Sequence, residues 1–175
     1  MTDPGTNQRG GATESYSPVL PDDVEELVRA VLERAAAAQL SLTTAESCTG
    51  GMLASILTDV QGLSGVFERG FVVYSDPAKC ELLGLAQADI DRCGAVSEEV
   101  AVAMAEGALA NSKADIAVST TGYADDGPVP GLVHFACARR EGPTTHREER
   151  FGAIGRGPVR IESMRVALQM IDSVL

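Results

Sequence analysis

Two rhythms of apolar residues run along this chain. Val24, Leu27, Val28, Val31, Leu32 and Ala35 recur at i, i+3, i+4, i+7 and i+8, the spacing of one helix face. Pro21, Asp22 and Asp23 suit the start of that helix, through capping and the dipole. Further helices are predicted over residues 52–57, from Ser75-Asp76-Pro77 to a stop at Gly84, over 98–111 behind Ser97, and over 158–175. Val100, Met104 and Ala108 share a face of the third, and Ile161, Met164, Leu168 and Ile171 a face of the last. Shorter β-branched or alternating runs at 42–44, 70–75, 116–120 and 132–138 read as strands. Residues 147–151 suit a hairpin partner for the last run, since the polar stretch between them is short and holds Gly142 and Pro143.

Helices and strands alternate through most of the chain, and then two strands run together. That order predicts an α/β fold: a single layered domain with a mixed β-sheet flanked by helices. Residues 1–20 are rich in Gly, Ser, Thr, Pro and Asn, a composition that cannot offset the entropy of ordering a chain. They are expected to form a flexible leader before a folded domain over 21–175.

Composition narrows the function classes. The net charge is −11, there is no Trp, and only Lys79 and Lys113 are Lys among the 14 basic residues. An acidic chain poor in aromatics lacks the basic face and stacking platforms of nucleic-acid binders. No apolar run is long enough for a membrane span, and no signal-peptide pattern opens the chain. Cys48, Cys80, Cys93 and Cys137 form no CxxC pair and no His lies close to them, so a metal site and a disulfide framework are not expected. The expectation is a cytoplasmic protein with reduced thiols.

Four segments carry chemistry. In Thr44-Ala45-Glu46-Ser47-Cys48-Thr49-Gly50-Gly51 a strand enters and a helix leaves. Glycines let backbone amides approach a ligand, and Ser47 and Thr49 suit a nucleophile, an anion contact or a plain N-cap. In Tyr74-Ser75-Asp76-Pro77-Ala78-Lys79 the lysine stands out, because Arg keeps its proton whereas a desolvated Lys can release it. A serine nucleophile with a lysine base is one known solution; the plainer reading of Lys79 alone is a solvated surface side chain. Thr120 to Gly127 follows an apolar strand and includes Gly122, either a site of close backbone approach or an ordinary turn. Arg156 stands at the entry to the last helix, as a phosphate contact or a solvated side chain. His134 reads as a satisfied strand residue and His146 as a loop residue, so neither supports a Ser-His-Asp triad.

In family order, the chain carries Thr44-Ala45-Glu46-Ser47-Cys48-Thr49-Gly50-Gly51, Thr58-Asp59-Val60-Gln61-Gly62-Leu63-Ser64, the run from Phe67 to Ser75 with Ala78-Lys79, Leu83-Gly84-Leu85, Gly94-Ala95-Val96-Ser97, and Arg156 with Val159-Arg160. Together these resemble the CinA C-terminal domain family, from about Asp22 to the C-terminus. That resemblance implies a nicotinamide mononucleotide deamidase in standalone form, working without a cofactor or a metal. It implies Ser47 as nucleophile, Lys79 as base and Tyr74 as a hydroxyl partner, with Thr49, Gly50, Gly51, Gly122 and Arg156 around a small nucleotide substrate. It also implies a homo-oligomer, a dimer or larger. The loop over residues 122–131 departs from the family's usual form: it is shorter, lacks a lysine and carries Asp125 and Asp126. Two alternatives stay open beside the deamidase: the same chemistry on another small amide, and a non-catalytic nucleotide- or partner-binding module.

Overall fold

A computed structural model describes residues 20–175; the expected leader lies outside the described residues, except for Leu20. The elements are α1 (Asp22–Ala37), β1 (Leu42–Glu46), α2 (Met52–Leu57), β2 (Phe67–Val72), α3 (Asp76–Leu83), α4 (Gln87–Cys93), α5 (Glu98–Ala110), β3 (Ile116–Gly122), β4 (Leu132–Arg139), β5 (Thr145–Arg150) and α6 (Arg156–Val174). The five strands form one sheet in the order β2-β1-β3-β4-β5. β1 runs parallel to β2 and β3, whereas β3, β4 and β5 are antiparallel neighbours. The mixed sheet flanked by helices is the predicted architecture.

Side-chain alternation sends each face of the sheet to its own core. Leu42, Ile116, Val118, Val133 and Phe135 pack with α1, α2 and α6 through Val28, Leu32, Leu53, Met164, Leu168 and Ile171. Ala45, Val73 and Ala117 pack on the other face with α3, α4 and α5 through Leu83, Ile90, Val100 and Met104. The inner strands, covered on both faces, read as continuous buried runs. α5 lies close on the sheet because the residues between them are small, Ala101 and Ala105 against Ala136 and Ala138.

Some boundaries differ from the sequence reading. β2 begins three residues earlier than expected and ends at Val72, because register with β1 is set from Leu42↔Phe67 to Glu46↔Val72. As an edge strand it tolerates Glu68 and Arg69, which hide its start. β1 extends through Glu46, and its polar Thr43 is satisfied by donating to the Arg69 carbonyl at 2.8 Å. α4 was not anticipated: it is seven residues long and buries only Ile90, too little to print a period. Among the described residues, no helix is long and apolar enough to cross a membrane.

This topology positions the site. The chain leaves β1 toward β2 through α2 on one face, and returns from β2 to β3 through helices on the other. β1 is the point where the connections part, and ligands favour the carboxyl ends of strands at such a switch point. Those ends deliver Ser47 after β1, Tyr74 after β2, and Thr121 and Gly122 at the end of β3. The start of α6 adds Arg156.

Candidate active site

A cleft of about 370 Å³ opens at this sheet edge, and Ser47, Cys48, Tyr74, Asp76, Lys79, Thr121, Gly122, Tyr123, Asp126 and Arg156 are among its lining residues. The volume suits a small molecule. A larger groove of about 510 Å³ lies between α4 and α5, with apolar walls and a rim of Asp89, Arg92, Glu99 and Glu106. It brings no buried amine to a hydroxyl.

Ser47 follows β1 directly, and its amide donates to the Thr120 carbonyl at 2.9 Å, prolonging the ladder by one bond. Gly50 and Gly51 then turn the chain into α2 with φ of +61° and +93°, a region that costs L side chains strain. Gly50 is constrained twice, since a Cβ there would lie 2.8 Å from the Arg160 guanidinium.

Lys79 comes from α3. Ser75 caps that helix by accepting from the Ala78 amide at 3.3 Å, Pro77 occupies the first turn, and the Lys79 amide donates to the Ser75 carbonyl at 3.1 Å. The side chain runs inward and is 1 % exposed. The reading of Lys79 as a solvated surface residue therefore fails. Its amine lies 3.5 Å from Oδ1 of Asp76, long for a charge-assisted hydrogen bond. Tyr74, just past β2, is 70 % exposed at the rim.

Cys48 also lines the cleft, but burial pushes its thiol up to about 11, against a smaller lowering by the Thr120 hydroxyl. A thiol held protonated is a poor nucleophile near neutral pH. The hydroxyl that this turn brings to the cleft is that of Ser47.

The structure does not bring every expected contact to the cleft. Thr49, Gly50 and Gly51 lie behind it. The Thr49 hydroxyl donates to Oε2 of Glu46 at 2.7 Å, and the Gly51 amide donates to the same oxygen at 3.0 Å. The Gly50 amide donates to the Ser47 carbonyl at 3.2 Å. Gly122 does line the cleft, and a Cβ there would lie 2.7 Å from the Leu132 carbonyl oxygen of β4. Arg156 is the first residue of α6, half exposed, with Nη2 3.8 Å from Oδ2 of Asp126. The departing loop therefore brings a carboxylate to the same arginine expected to meet a phosphate.

Three residues with a part in this geometry were not singled out from sequence. Asp76 sits beside the lysine amine. Arg160 donates through Nε (3.1 Å) and Nη2 to the Thr49 carbonyl, tying α6 to the Ser47 turn. Glu46 is a charged residue inside a strand with no exposed surface. The capping pattern of Ser75 prints a local signal; Asp76 and Glu46 act through the way their side chains turn, and Arg160 reaches back from a helix distant in sequence.

His134 and His146 stay outside the cleft. Their rings stack with Nδ1 of His134 3.0 Å from Nε2 of His146. His146 lies 3.5 Å from Glu98, and His134 lies 3.8 Å from Glu148. Burial holds His134 below the usual histidine range, against the raising influence of Glu148. Among the described residues, no group of three or more His, Cys, Asp or Glu is placed to hold a metal ion.

Comparison with known proteins places this geometry among relatives. The family model for the CinA C-terminal domain matches residues 24–175. A CinA-like protein of Akkermansia muciniphila is 51 % identical over 124 residues, 67 % of this chain and 30 % of that protein, so the chain spans under a third of that relative's length. The nicotinamide-nucleotide amidohydrolase PncC of Escherichia coli K12 is 44 % identical over 137 residues, 75 % of this chain and 82 % of that enzyme. The crystal structure of the competence/damage inducible protein CihA from Agrobacterium tumefaciens superposes with a TM-score of 0.86 at 42 % identity, covering 89 % of this chain and 97 % of that one. With the model matched from α1 to the last residue and the fold shared with a solved relative, the chain belongs to the CinA C-terminal domain family.

Proposed function

We propose that this protein hydrolyses the carboxamide of nicotinamide mononucleotide to the acid mononucleotide and ammonia through a Ser-Lys acyl-enzyme mechanism. The observation that carries the reading is the Lys79 amine, buried in the cleft that Ser47 lines. Its support among relatives is the Escherichia coli amidohydrolase, 44 % identical across most of both chains.

In this mechanism Lys79 accepts the Ser47 proton as the hydroxyl oxygen attacks the amide carbon. The pyridinium withdraws electrons from the carboxamide and favours that attack. The developing oxyanion meets the amide of Cys48, which lines the cleft and has no backbone acceptor among the described residues. Lys79 returns the proton to the departing nitrogen, the C–N bond breaks, and ammonia leaves. Water then attacks the ester, giving the carboxylic acid and restoring Ser47. The Tyr74 hydroxyl borders the reacting groups, and Arg156 faces the phosphate.

The test is ammonia release from nicotinamide mononucleotide by the wild type and by Ser47→Ala and Lys79→Ala. Both variants lose activity in this reading, and undiminished turnover in both rejects it. Lys79→Arg keeps a cation but cannot act as base, so activity surviving there assigns Lys79 a purely electrostatic part.

One observation favours a second reading, in which the same chemistry serves another small amide. Asp126 stands 3.8 Å from the Arg156 guanidinium, where it competes with a phosphate. A panel of amides decides: if nicotinamide mononucleotide gives the highest kcat/KM, the second reading falls.

A further inference from the structure

Glu46 has no part in the proton transfers above, yet it is the most heavily engaged side chain near Ser47. Its carboxylate is fully buried. Oε1 accepts from the Ala54 amide at 2.7 Å and the Thr44 hydroxyl at 3.3 Å. Oε2 accepts from the Thr49 hydroxyl at 2.7 Å, the Gly51 amide at 3.0 Å and the Leu53 amide at 3.1 Å.

Three of those donors are backbone amides of the first turn of α2. The N-cap residue of that helix is Gly51, which has no side chain to cap it. Glu46 supplies the missing cap from the neighbouring strand, and its negative charge suits the positive end of the helix dipole. This contact also fills the helix end, so a substrate phosphate must be held elsewhere in the cleft.

The fifth donor, Thr49, is gripped from two further sides. Its hydroxyl lies 2.8 Å from that of Thr120 on β3, and its carbonyl accepts from Arg160 on α6. Ser47 thus stands between Glu46, which is fixed by β1 and α2, and Thr49, which is fixed by β1, β3 and α6. The free travel of the Ser47 backbone is small because both flanking anchors are buried.

We infer that Glu46 is a positioning residue, which holds the Ser47 turn at the angle from which its hydroxyl attacks. The inference rests on the reading of Ser47 as nucleophile. A carboxylate suits the task where an amide does not. Glutamine offers one acceptor oxygen instead of two, and its NH2 would face N–H donors. A shift of about 1 Å in a reacting group can cost on the order of 100-fold in rate, so the effect belongs in kcat and not in substrate affinity.

The experiment measures kcat and KM for ammonia release from nicotinamide mononucleotide, the rate of Ser47 labelling by a fluorophosphonate probe, and amide exchange across residues 47–54. It compares the wild type with Glu46→Gln and with Leu57→Ala, a cavity variant at the far end of the same helix. Glu46→Gln is expected to lower kcat and labelling at least tenfold, to leave KM within threefold, and to speed exchange at Gly51 to Ala54. Leu57→Ala is expected to keep kcat within twofold at a temperature where both variants are folded. A kcat for Glu46→Gln within threefold of wild type overturns the inference, as does an equal loss in Leu57→Ala, which would make the effect one of stability alone. If Glu46→Gln does not fold, Thr49→Ser and Thr49→Val decide, since only serine keeps the hydroxyl bond; equal kcat in the two overturns the inference. Where the wild type labels at Ser47 but releases no ammonia from nicotinamide mononucleotide, the substrate reading fails and the labelling rates still decide on Glu46. A wild type that neither labels nor turns over removes both.

Discussion

Two loops leave the same edge of the sheet and meet at one cleft, yet they are built differently. The turn after β1 is buried: Glu46 and Thr49 have no exposed surface, and strands, α2 and α6 hold its polar groups. The loop after β3 closes on itself through the Tyr123 amide to the Leu132 carbonyl (2.9 Å) and the Gly131 amide to the Tyr123 carbonyl (2.7 Å), with the Asp126 side chain 98 % exposed between them. The first loop fixes Ser47, the nucleophile of the proposed reaction. The second presents charge to whatever enters. Ligand preference can therefore change in the second without disturbing the first, and the departure from the family pattern lies there.

The largest effects are expected at Ser47 and Lys79. Ser47→Ala or Lys79→Ala should lower kcat for ammonia release by on the order of 1,000-fold or more, with KM nearly unchanged, as expected when an interaction made in the transition state is lost. Comparable kcat values in the variants and the wild type would mean that the buried turn is not where the chemistry happens. Lys79→Met should fold at least as well as the wild type in urea denaturation, because it replaces a buried amine of similar reach with an apolar chain. A large loss of stability would give Lys79 a structural part instead.

A backbone change in the same turn should be smaller but still clear. Gly50→Ala forces a side chain into φ +61° and against Arg160. It is expected to destabilise by about 1–2 kcal/mol and to lower kcat. The same substitution at Gly62, which has φ of +86° and where a Cβ meets no atom within 4 Å, tests how far the cost at Gly50 comes from contact with Arg160.

At the recognition end the effects should move KM instead. Arg156→Ala should raise KM for nicotinamide mononucleotide roughly tenfold or more, since a guanidinium–phosphate contact is charge-assisted, with kcat held within threefold. Asp126→Asn should lower KM severalfold if its carboxylate competes with the phosphate. No change would mean that the exposed loop gives way when substrate binds.

The smallest expected effect lies outside both loops. His134 titrates below the ordinary histidine value in the folded protein because burial disfavours its charged form. The unfolded chain then binds the proton more readily, so this contribution is fully present above about pH 6.5. It is lost as pH falls from there through the lower folded value. Thermal midpoints measured from pH 7.5 to 5 should fall less steeply in His134→Gln than in the wild type, whereas the pH profile of kcat should stay the same.

How much was legible follows from where each signal lives. The Ser75 cap, Pro77 and the Gly84 stop lie within one short segment, and α3 starts and ends as read. α2 also spans the predicted residues, although its cap comes from Glu46, outside the helix. β2 was displaced because its inward residues are interrupted by Glu68 and Arg69, which an edge strand tolerates. Glu46 gives no local signal, because a carboxylate in a strand normally points to water, and only the partner helix shows why this one does not.

The sequence by itself determined the alternation of elements and a mixed sheet flanked by helices, and its resemblance to the family singled out Ser47 and Lys79 as the candidate pair. Those follow from local periodicity, from turn residues, and from a motif whose parts are contiguous. Only the tertiary structure decided that Lys79 is buried, that the Gly51 amide serves Glu46 and not the cleft, and that Asp126 meets Arg156. Each of these depends on which way side chains turn when the segments pack, and that is settled only when parallel strands end on one edge and α2, α3 and α6 close around them. Burial and hydrogen-bond partnership belong to that assembly, and no single residue carries either in its own chemistry.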